Sequence, residues 1–478
     1  MKKKTGKILL GMGMAMALMM TGCGKSFGPS TDNPVSIKIW NYYNGDQLTS
    51  FDDLVEEFNE TVGAKKGIYV ESSSQGGVND LESNVIAAAN GKVGADEVPN
   101  IFAAYADTAY AIDKMGLVVD ISEYLTDEEK EAYVDSYLQE GKFSKEGGMK
   151  IFPIAKSTEV FLLNKTDWDI FSEETGVSLK DLETMEGVVE VAGKYYDWTD
   201  AKTPEPGDGK AFYGRDAMAN YFLIGSMQLG TEIFQVKDGA MQLNFDRDVV
   251  KTLWDNYYVP YIKGYFSSVG RFRSDDVKTG NILSFVGSSS GATFFPSQVI
   301  VNDEESYPID MIALPAPIFE GGEKYAVQQG AGMVVTKGTE EEIKASIEFL
   351  KWFTEPERNI EFSIDSGYLP VMKKANDMKI IKEYDAEMKQ SMEDILTVSV
   401  DTVNNCSLYT PRAFSHGTDA RQVLDTALSD LAVADRETVV QRISQGQSME
   451  DAVSEFLSEE YFETWYEKTL QELTACEG

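Results

Sequence analysis

The sequence predicts an α/β fold divided into two lobes. Three observations carry that expectation. The chain has 478 residues, more than one hydrophobic core usually serves. Its apolar periodicity switches repeatedly between two residues and about 3.6 in the first third, which reads as alternating strands and helices. A second series of the same kind opens near Phe152 with a continuous apolar run.

The first element is outside the fold. Lys2, Lys3, Lys4 and Lys7 precede an uncharged run, Ile8 to Met20, too short to span a bilayer as a helix. This is the pattern of a secretory leader. The small residues Thr21 and Gly22 suit an extended peptidase substrate, and Cys23 offers a thiol for acylation. The stretch MMTGC resembles the lipobox of bacterial lipoproteins, with Met20 where Leu is usual; an ordinary leader cleaved elsewhere is the plainer alternative. The resemblance implies a leader over 1–22 and a lipid-anchored flexible tether over 23–34, GKSFGPSTDNP after the cysteine. Buried acyl methylenes contribute about 0.8 kcal/mol each, so two or three chains hold a protein stably at a membrane.

Charge and motifs narrow the function. The net charge of −36 becomes −40 without the four leader lysines, which disfavours nucleic acid and anionic lipid heads as partners. Acidity also simply keeps a secreted protein soluble. His416 is the one histidine, and HExxH, CxxC and calcium-loop patterns are absent, so neither a metal nor a cofactor is expected. No GxSxG elbow supports a hydrolase triad, and no GxxxxGK[ST] loop supports nucleotide binding. Cys406 and Cys476 are compatible with a disulfide or with two free thiols.

Val35, Ile37 and Ile39 alternate as in a half-buried strand, and Phe51, Leu54, Val55, Phe58 and Val62 follow at helical spacing up to Gly63. Ile68 to Glu71 reads as a strand, NDLESNVIAAANG as a helix and PNIFAAYA as a third strand. Such a succession with short links implies a parallel sheet, whose ligands sit at the strands' carboxyl ends. Asn41 to Asp46, Ser72 to Asn79 and Tyr105 to Thr108 are therefore near any site.

Val160 to Leu163 suit a strand buried on both faces. A helical region follows over Leu179 to Tyr196, then the loop TPEPGDG and the strand-like IDMIALPAP. Thr339 with Glu342, and Thr354 with Glu357, have the spacing of capping boxes. Amphipathic helices, including VSEFLSEEYFETWYEKTLQEL, end the chain.

Three stretches resemble the extracellular solute-binding proteins of ABC importers, the class of maltose-type and glycerol-3-phosphate-type binding proteins. FPIAKSTEVFLLNK resembles the family's first inter-lobe crossover, and NILSFVGSSSGATFFP the second. The stretch from YAVQQGAGMVVTKG to GYLPV resembles the third and the helices after it. The resemblance runs from about Val35 to Lys468. It implies a periplasmic-binding-protein-like fold of type II, with two α/β lobes joined by hinge crossovers. On that template lobe 1 is 35–154 plus 288–330 and lobe 2 is 155–287 plus 331–478. It further implies a monomer that performs no chemistry, touches the membrane only through its anchor and hands a sugar-like solute to ABC permease subunits.

Strand ends, the crossovers and the Gly-Tyr-Leu-Pro motif offer candidate ligand-binding residues. Strand ends contribute Trp40, Tyr42, Tyr43, Asn44, Asn79 and Asp107. The crossovers contribute Ser157, Ser288, Ser289, Ser290 and Gln329, with Gly330 and Gly332 permitting close backbone approach. Tyr368 lies in Gly-Tyr-Leu-Pro, where relatives place a ligand-facing tyrosine. Trp40 reads equally as core, and the serines as turn builders. A neutral carbohydrate is the first expectation. A glycerol-3-phosphate or glycerophosphodiester is the second, with Arg412 as the phosphate contact. Against the second, GRDAMANYF lacks that type's tryptophan pair, and Ala106 stands where it has a glutamate. A glycoside hydrolase and a surface scaffold are the rival classes; with 79 acidic residues a carboxylate pair can always be proposed.

Overall fold

The computed structural model describes residues 29–143, 147–237 and 239–477. The leader, Cys23 and residues 24–28 of the expected tether lie outside the described residues. Residues 29–34 are not free chain. Ser30 and Asn33 exchange backbone hydrogen bonds of 3.2 and 2.9 Å, and the turn lies on Gly67, where an added Cβ would come within 2.1 Å of the Ser30 carbonyl oxygen.

In chain order the strands are β1 (Val35–Asn41), β2 (Ile68–Ser74), β3 (Ile101–Ala104), β4 (Glu159–Asn164), β5 (Tyr213–Arg215), β6 (Phe234–Lys237), β7 (Ala240–Leu243), β8 (Ser284–Ser288), β9 (Gln298–Ile300), β10 (Ser306–Pro308), β11 (Met311–Pro315), β12 (Tyr325–Val327), β13 (Gly332–Val335) and β14 (Ser407–Tyr409). The first lobe's sheet has the order β13-β3-β1-β2, parallel except for β13. Helices Gly45–Phe58 and Val78–Ala89 connect its strands. Ile37, Ile39, Phe51, Phe58, Ile101 and Phe102 make its core with Val334, Phe349 and Phe362. The second lobe's sheet has the order β11-β4-β8-β5. Every β4 residue is buried, as the unbroken apolar run requires. Its main core joins Phe161, Tyr213, Phe222 and Trp254 to Leu424, Phe462 and Trp465 of the C-terminal helices.

The division between lobes differs from expectation in two segments. β8 pairs with β4 and β11 pairs with β4, so the chain from 288 to β11 stays with the second lobe. β13 pairs with β3, and the Glu340–Phe353 and Pro356–Ser366 helices pack into the first lobe's core. GSSSG is therefore a turn of the second lobe, not a crossover. The crossings run through 155–158, through 328–331, and between the Pro356–Ser366 and Gln390–Asn405 helices, the last around a small core of Ile360, Leu369, Ile381, Leu396 and Val400.

Local expectations differ in two places. Gly63 does not stop its helix: the chain stays helical to Lys66 and ends at left-handed Gly67. Gly63 is needed for close packing, since an added Cβ would sit 2.5 Å from the Ile68 carbonyl oxygen. Thr339 and Glu342 form the expected capping box. Thr354 does not cap the next helix; its hydroxyl donates back to the Leu350 carbonyl at 2.9 Å, closing the preceding one.

Candidate functional site

The carboxyl ends of β1 and β3 face the crossovers. Asn41, fully buried, shapes the loop after β1. Its amide nitrogen donates to Ser72 Oγ at 3.0 Å, and its Oδ1 accepts from the Tyr43 amide at 3.0 Å. That turn presents Tyr42, whose hydroxyl lies 3.1 Å from the Tyr368 hydroxyl and accepts from the Ala331 amide at 3.3 Å. Tyr105 lies beside them. Burial, then neighbouring phenols, holds the Tyr42 and Tyr368 hydroxyls well above their ordinary range. Burial does the same for Tyr105. These phenols are neutral donors and acceptors at any physiological pH.

The crossovers form the floor. Ser157 and Gln329 exchange backbone hydrogen bonds of 3.0 and 2.9 Å. Lys156 is 1% exposed; its Nζ pairs with Glu140 and donates to the Gly330 carbonyl at 2.6 Å. Gln328 Nε2 donates to the same Glu140 carboxylate at 2.9 Å. Gly330 has φ +84°, and a Cβ there would meet the Ala155 carbonyl oxygen at 2.9 Å. The Gln329 side-chain oxygen and the Ser289 hydroxyl are buried with no hydrogen-bond partner among the described residues.

The second lobe supplies the opposing wall. Arg421, in the Gly417–Thr426 helix, donates to Asn220 Oδ1 at 2.5 Å. Asn220 donates to Glu159 Oε1 at 2.9 Å, and Arg215 pairs with Glu159 Oε2. Asp107, in the Ala106–Lys114 helix, reaches across from the first lobe. Its Oδ1 accepts from the Phe414 amide at 3.3 Å. Gly417 lies directly on it, since an added Cβ would sit 2.1 Å from Oδ1. Burial raises the Asp107 carboxyl to about 6, against the lowering pull of Phe414 N–H and Arg421. Lys114 Nζ donates to Ser415 Oγ at 2.9 Å on the same face of that helix.

Asp216, just after β5, is likewise raised to about 6 by burial, opposed by Arg273. Ala217 follows in the left-handed region with φ 48° and ψ 71°, unusual for a residue with a Cβ. It opens the Met218–Gln228 helix.

Of the expected residues, Tyr42, Ser157, Gln329, Gly330 and Tyr368 come together at the crossovers, with Asp107 at the rim facing Arg421. Tyr43 lies beneath them, 1% exposed, packed on Phe51, Phe362 and Tyr368. Trp40 is 7% exposed and belongs to the first-lobe core, so it offers no free ring face. Asn44 braces loops, donating to the Tyr42 and Gly76 carbonyls at 2.8 and 3.1 Å. Asn79 is exposed in the first turn of its helix. Ser288 Oγ builds its turn, accepting from the Gly291 amide at 2.9 Å. Ser290 lies beside Tyr368 and its carbonyl accepts from Gln47 Nε2 at 3.3 Å. Arg412 is exposed; the arginine of the wall is Arg421, nine positions on. Glu140, Lys156, Glu159, Arg215 and Asn220 were not legible as site residues, because their pairing is long-range; the one local hint is that Lys156 interrupts an apolar crossover.

Two hollows lie near this cluster without containing Tyr42, Asp107 or Arg421. One, of about 1160 Å³, lies between the lobes on the side of the Gly45–Phe58 helix, lined by Asp46, Asp53, Thr293, Asp365 and Met392 among others. The other, of about 540 Å³, is within the second lobe, walled by Leu182, Ile224 and Phe319, with Glu159, Arg215 and Asn220 also lining it. The Cys406 and Cys476 thiols are free. Among the described residues no helix is long and apolar enough to cross a membrane, and no group of three or more metal-type side chains occurs.

A family model described as bacterial extracellular solute-binding protein matches residues 53–390. No curated protein matches the chain. Among solved structures, the cyclic alpha-maltosyl-1,6-maltose binding protein of Arthrobacter globiformis is 17% identical with a TM-score of 0.67, covering 93% of this chain and 99% of its own. UgpB of Mycobacterium tuberculosis, solved with glycerophosphocholine, is 18% identical with a TM-score of 0.68, covering 92% and 99%. The substrate-binding protein Lmo0181 of Listeria monocytogenes, solved with cycloalternan, is 15% identical with a TM-score of 0.64, covering 92% and 99%. At these identities the likeness is one of fold.

Proposed function

The chain belongs to the bacterial extracellular solute-binding protein family, and on that premise we propose that it captures a neutral sugar or oligosaccharide between its lobes and delivers it to an ABC permease. The family places it outside the cytoplasm. One observation supports the site most: Asp107 of the first lobe accepts from the Phe414 amide and lies against Gly417 of the second, beside the crossover backbone. A hinged pair of lobes closes when a solute contacts both. Sugar hydroxyls each donate and accept, and the phenols, Gln329, Asp107 and Arg421 offer both roles. A buried hydroxyl left unpaired costs about 1–3 kcal/mol, so such a wall selects its solute. Arg421 favours a second reading, a glycerol-3-phosphate or glycerophosphodiester gripped through its phosphate. Cys23 would anchor the chain, a monomer, by its acyl groups.

Thermal unfolding over mono- and oligosaccharides, polyols and glycerophosphodiesters tests this. A solute at 100 times its Kd stabilises by about 2.7 kcal/mol. No stabilisation across all classes would overturn the reading. Release of cleaved glycan at more than one equivalent per protein would replace it with the glycoside hydrolase alternative.

A further inference from the structure

The wall residue Arg421 does not stand alone. It hydrogen-bonds to Asn220, Asn220 to Glu159, and Glu159 to Arg215, an unbroken chain drawn from the Gly417–Thr426 helix, the Met218–Gln228 helix, β4 and β5. Asn220 is 0% exposed, Glu159 5% and Arg215 8%. We infer that Asn220, Glu159 and Arg215 are positioning residues whose task is to aim Arg421 across the cleft at Asp107.

Hydrogen-bond inventory fixes the direction of the chain. A carboxylate only accepts and a guanidinium only donates. The Asn220 NH₂ must therefore face Glu159 and its oxygen must face Arg421. The amide cannot flip without setting donor against donor and acceptor against acceptor. Glu159 in turn is held by a cation that stays charged at all relevant pH. One N–H of the Arg421 guanidinium is committed to Asn220, which favours one orientation of the group. Helix geometry supplies its direction. Gly417 and Arg421 are four apart on one helix, hence on one face, and Gly417 is the residue that touches Asp107.

Stability alone does not account for such a chain. A buried ion pair is commonly replaced by apolar residues at little or no cost to folding. An arginine that must meet a solute with fixed geometry does account for it, because each N–H aimed in advance is ordering that binding need not supply. The inference concerns the same cleft as the proposed solute binding and rests on it for its meaning. Its test uses no solute, so the two can fail separately.

The readout is the carboxyl ¹³C titration of Asp107 in the full chain without solute, assigned by its loss in Asp107→Asn. Glu82 and Glu140 raise the Asp107 midpoint and Arg421 lowers it. Asn220→Leu frees Arg421, and the midpoint is expected to move up by about half a unit or more. Ser226→Ala, a change at a fully buried position of the same helix, is expected to leave it in place. If Asn220→Leu does not fold, the neutral replacement Glu159→Leu with Arg215→Met removes the same support and is expected to raise the midpoint likewise. An unchanged midpoint in the relay variants overturns the inference, and so does an equal rise in Ser226→Ala.

Discussion

Asp107 shows how one residue's chemistry follows from its burial. Its carboxyl is raised from 3.8 to about 6, with desolvation the leading cause. A raised acid midpoint means the folded state disfavours the charged form. The stability it contributes is full below about pH 4 and is lost as pH rises through 6. Relative to Asp107→Asn, the wild type should lose roughly 2 kcal/mol between pH 4 and pH 7, measured by thermal unfolding at each pH. The partner across the gap gives a second test. Gly417→Ala puts a methyl into the space of the Asp107 carboxylate, so solute affinity should fall at least about tenfold, near 1.4 kcal/mol, in calorimetric titration. Residues read as ligand contacts but found in the core behave otherwise: Trp40→Ala should cost about 3–5 kcal/mol in denaturant unfolding, as a packing loss. Trp40 was legible as an aromatic at a strand end, equally a contact or a core residue, and the choice fell to the structure because which face of a strand is covered depends on what packs there.

At the scale of elements, the sequence was most readable where the determinants are local. The Thr339–Glu342 box lies within four residues, and the helix starts where it predicts. Thr339→Ala should lower stability by about 1 kcal/mol in denaturant unfolding. The Thr354 box had the same spacing and did not form, because the Thr354 hydroxyl found carbonyls of the preceding helix and Tyr133 at 2.7 Å. Ala217 had no signal in sequence. Its left-handed backbone is set by the meeting of β5 with the helix behind it, and a Cβ there costs roughly 1–2 kcal/mol. Ala217→Gly should therefore raise the thermal midpoint, because that relief exceeds the roughly 0.4–1 kcal/mol of freedom the glycine adds to the unfolded chain; a lower midpoint would mean the alanine methyl is packed to advantage.

Across the whole molecule, polar contacts join the two lobes. Asp107 meets Phe414, Lys114 meets Ser415, and Gln47 meets Ser290. Between them run the crossovers, and Gly330 holds two of these close together. A solute that bridges the lobes should shrink the radius of gyration in solution scattering, with the 540 Å³ pocket inside the second lobe unaffected because one lobe alone builds it.

The sequence by itself determined the α/β class, the strands β1 to β4, the helices that link β1 to β2 and β2 to β3, and the family likeness. Those depend on periodicity, capping and turn residues acting over a few positions. Only tertiary structure decided which lobe owns residues 288–375, because strand ownership is a matter of pairing, and β13 pairs with a strand more than two hundred residues earlier. It also decided that Arg421 lies close to Tyr105 and Asp107 while Arg412 is exposed. The partners that orient Arg421, Asn220 and through it Glu159, lie so far away in the chain that no local pattern records them.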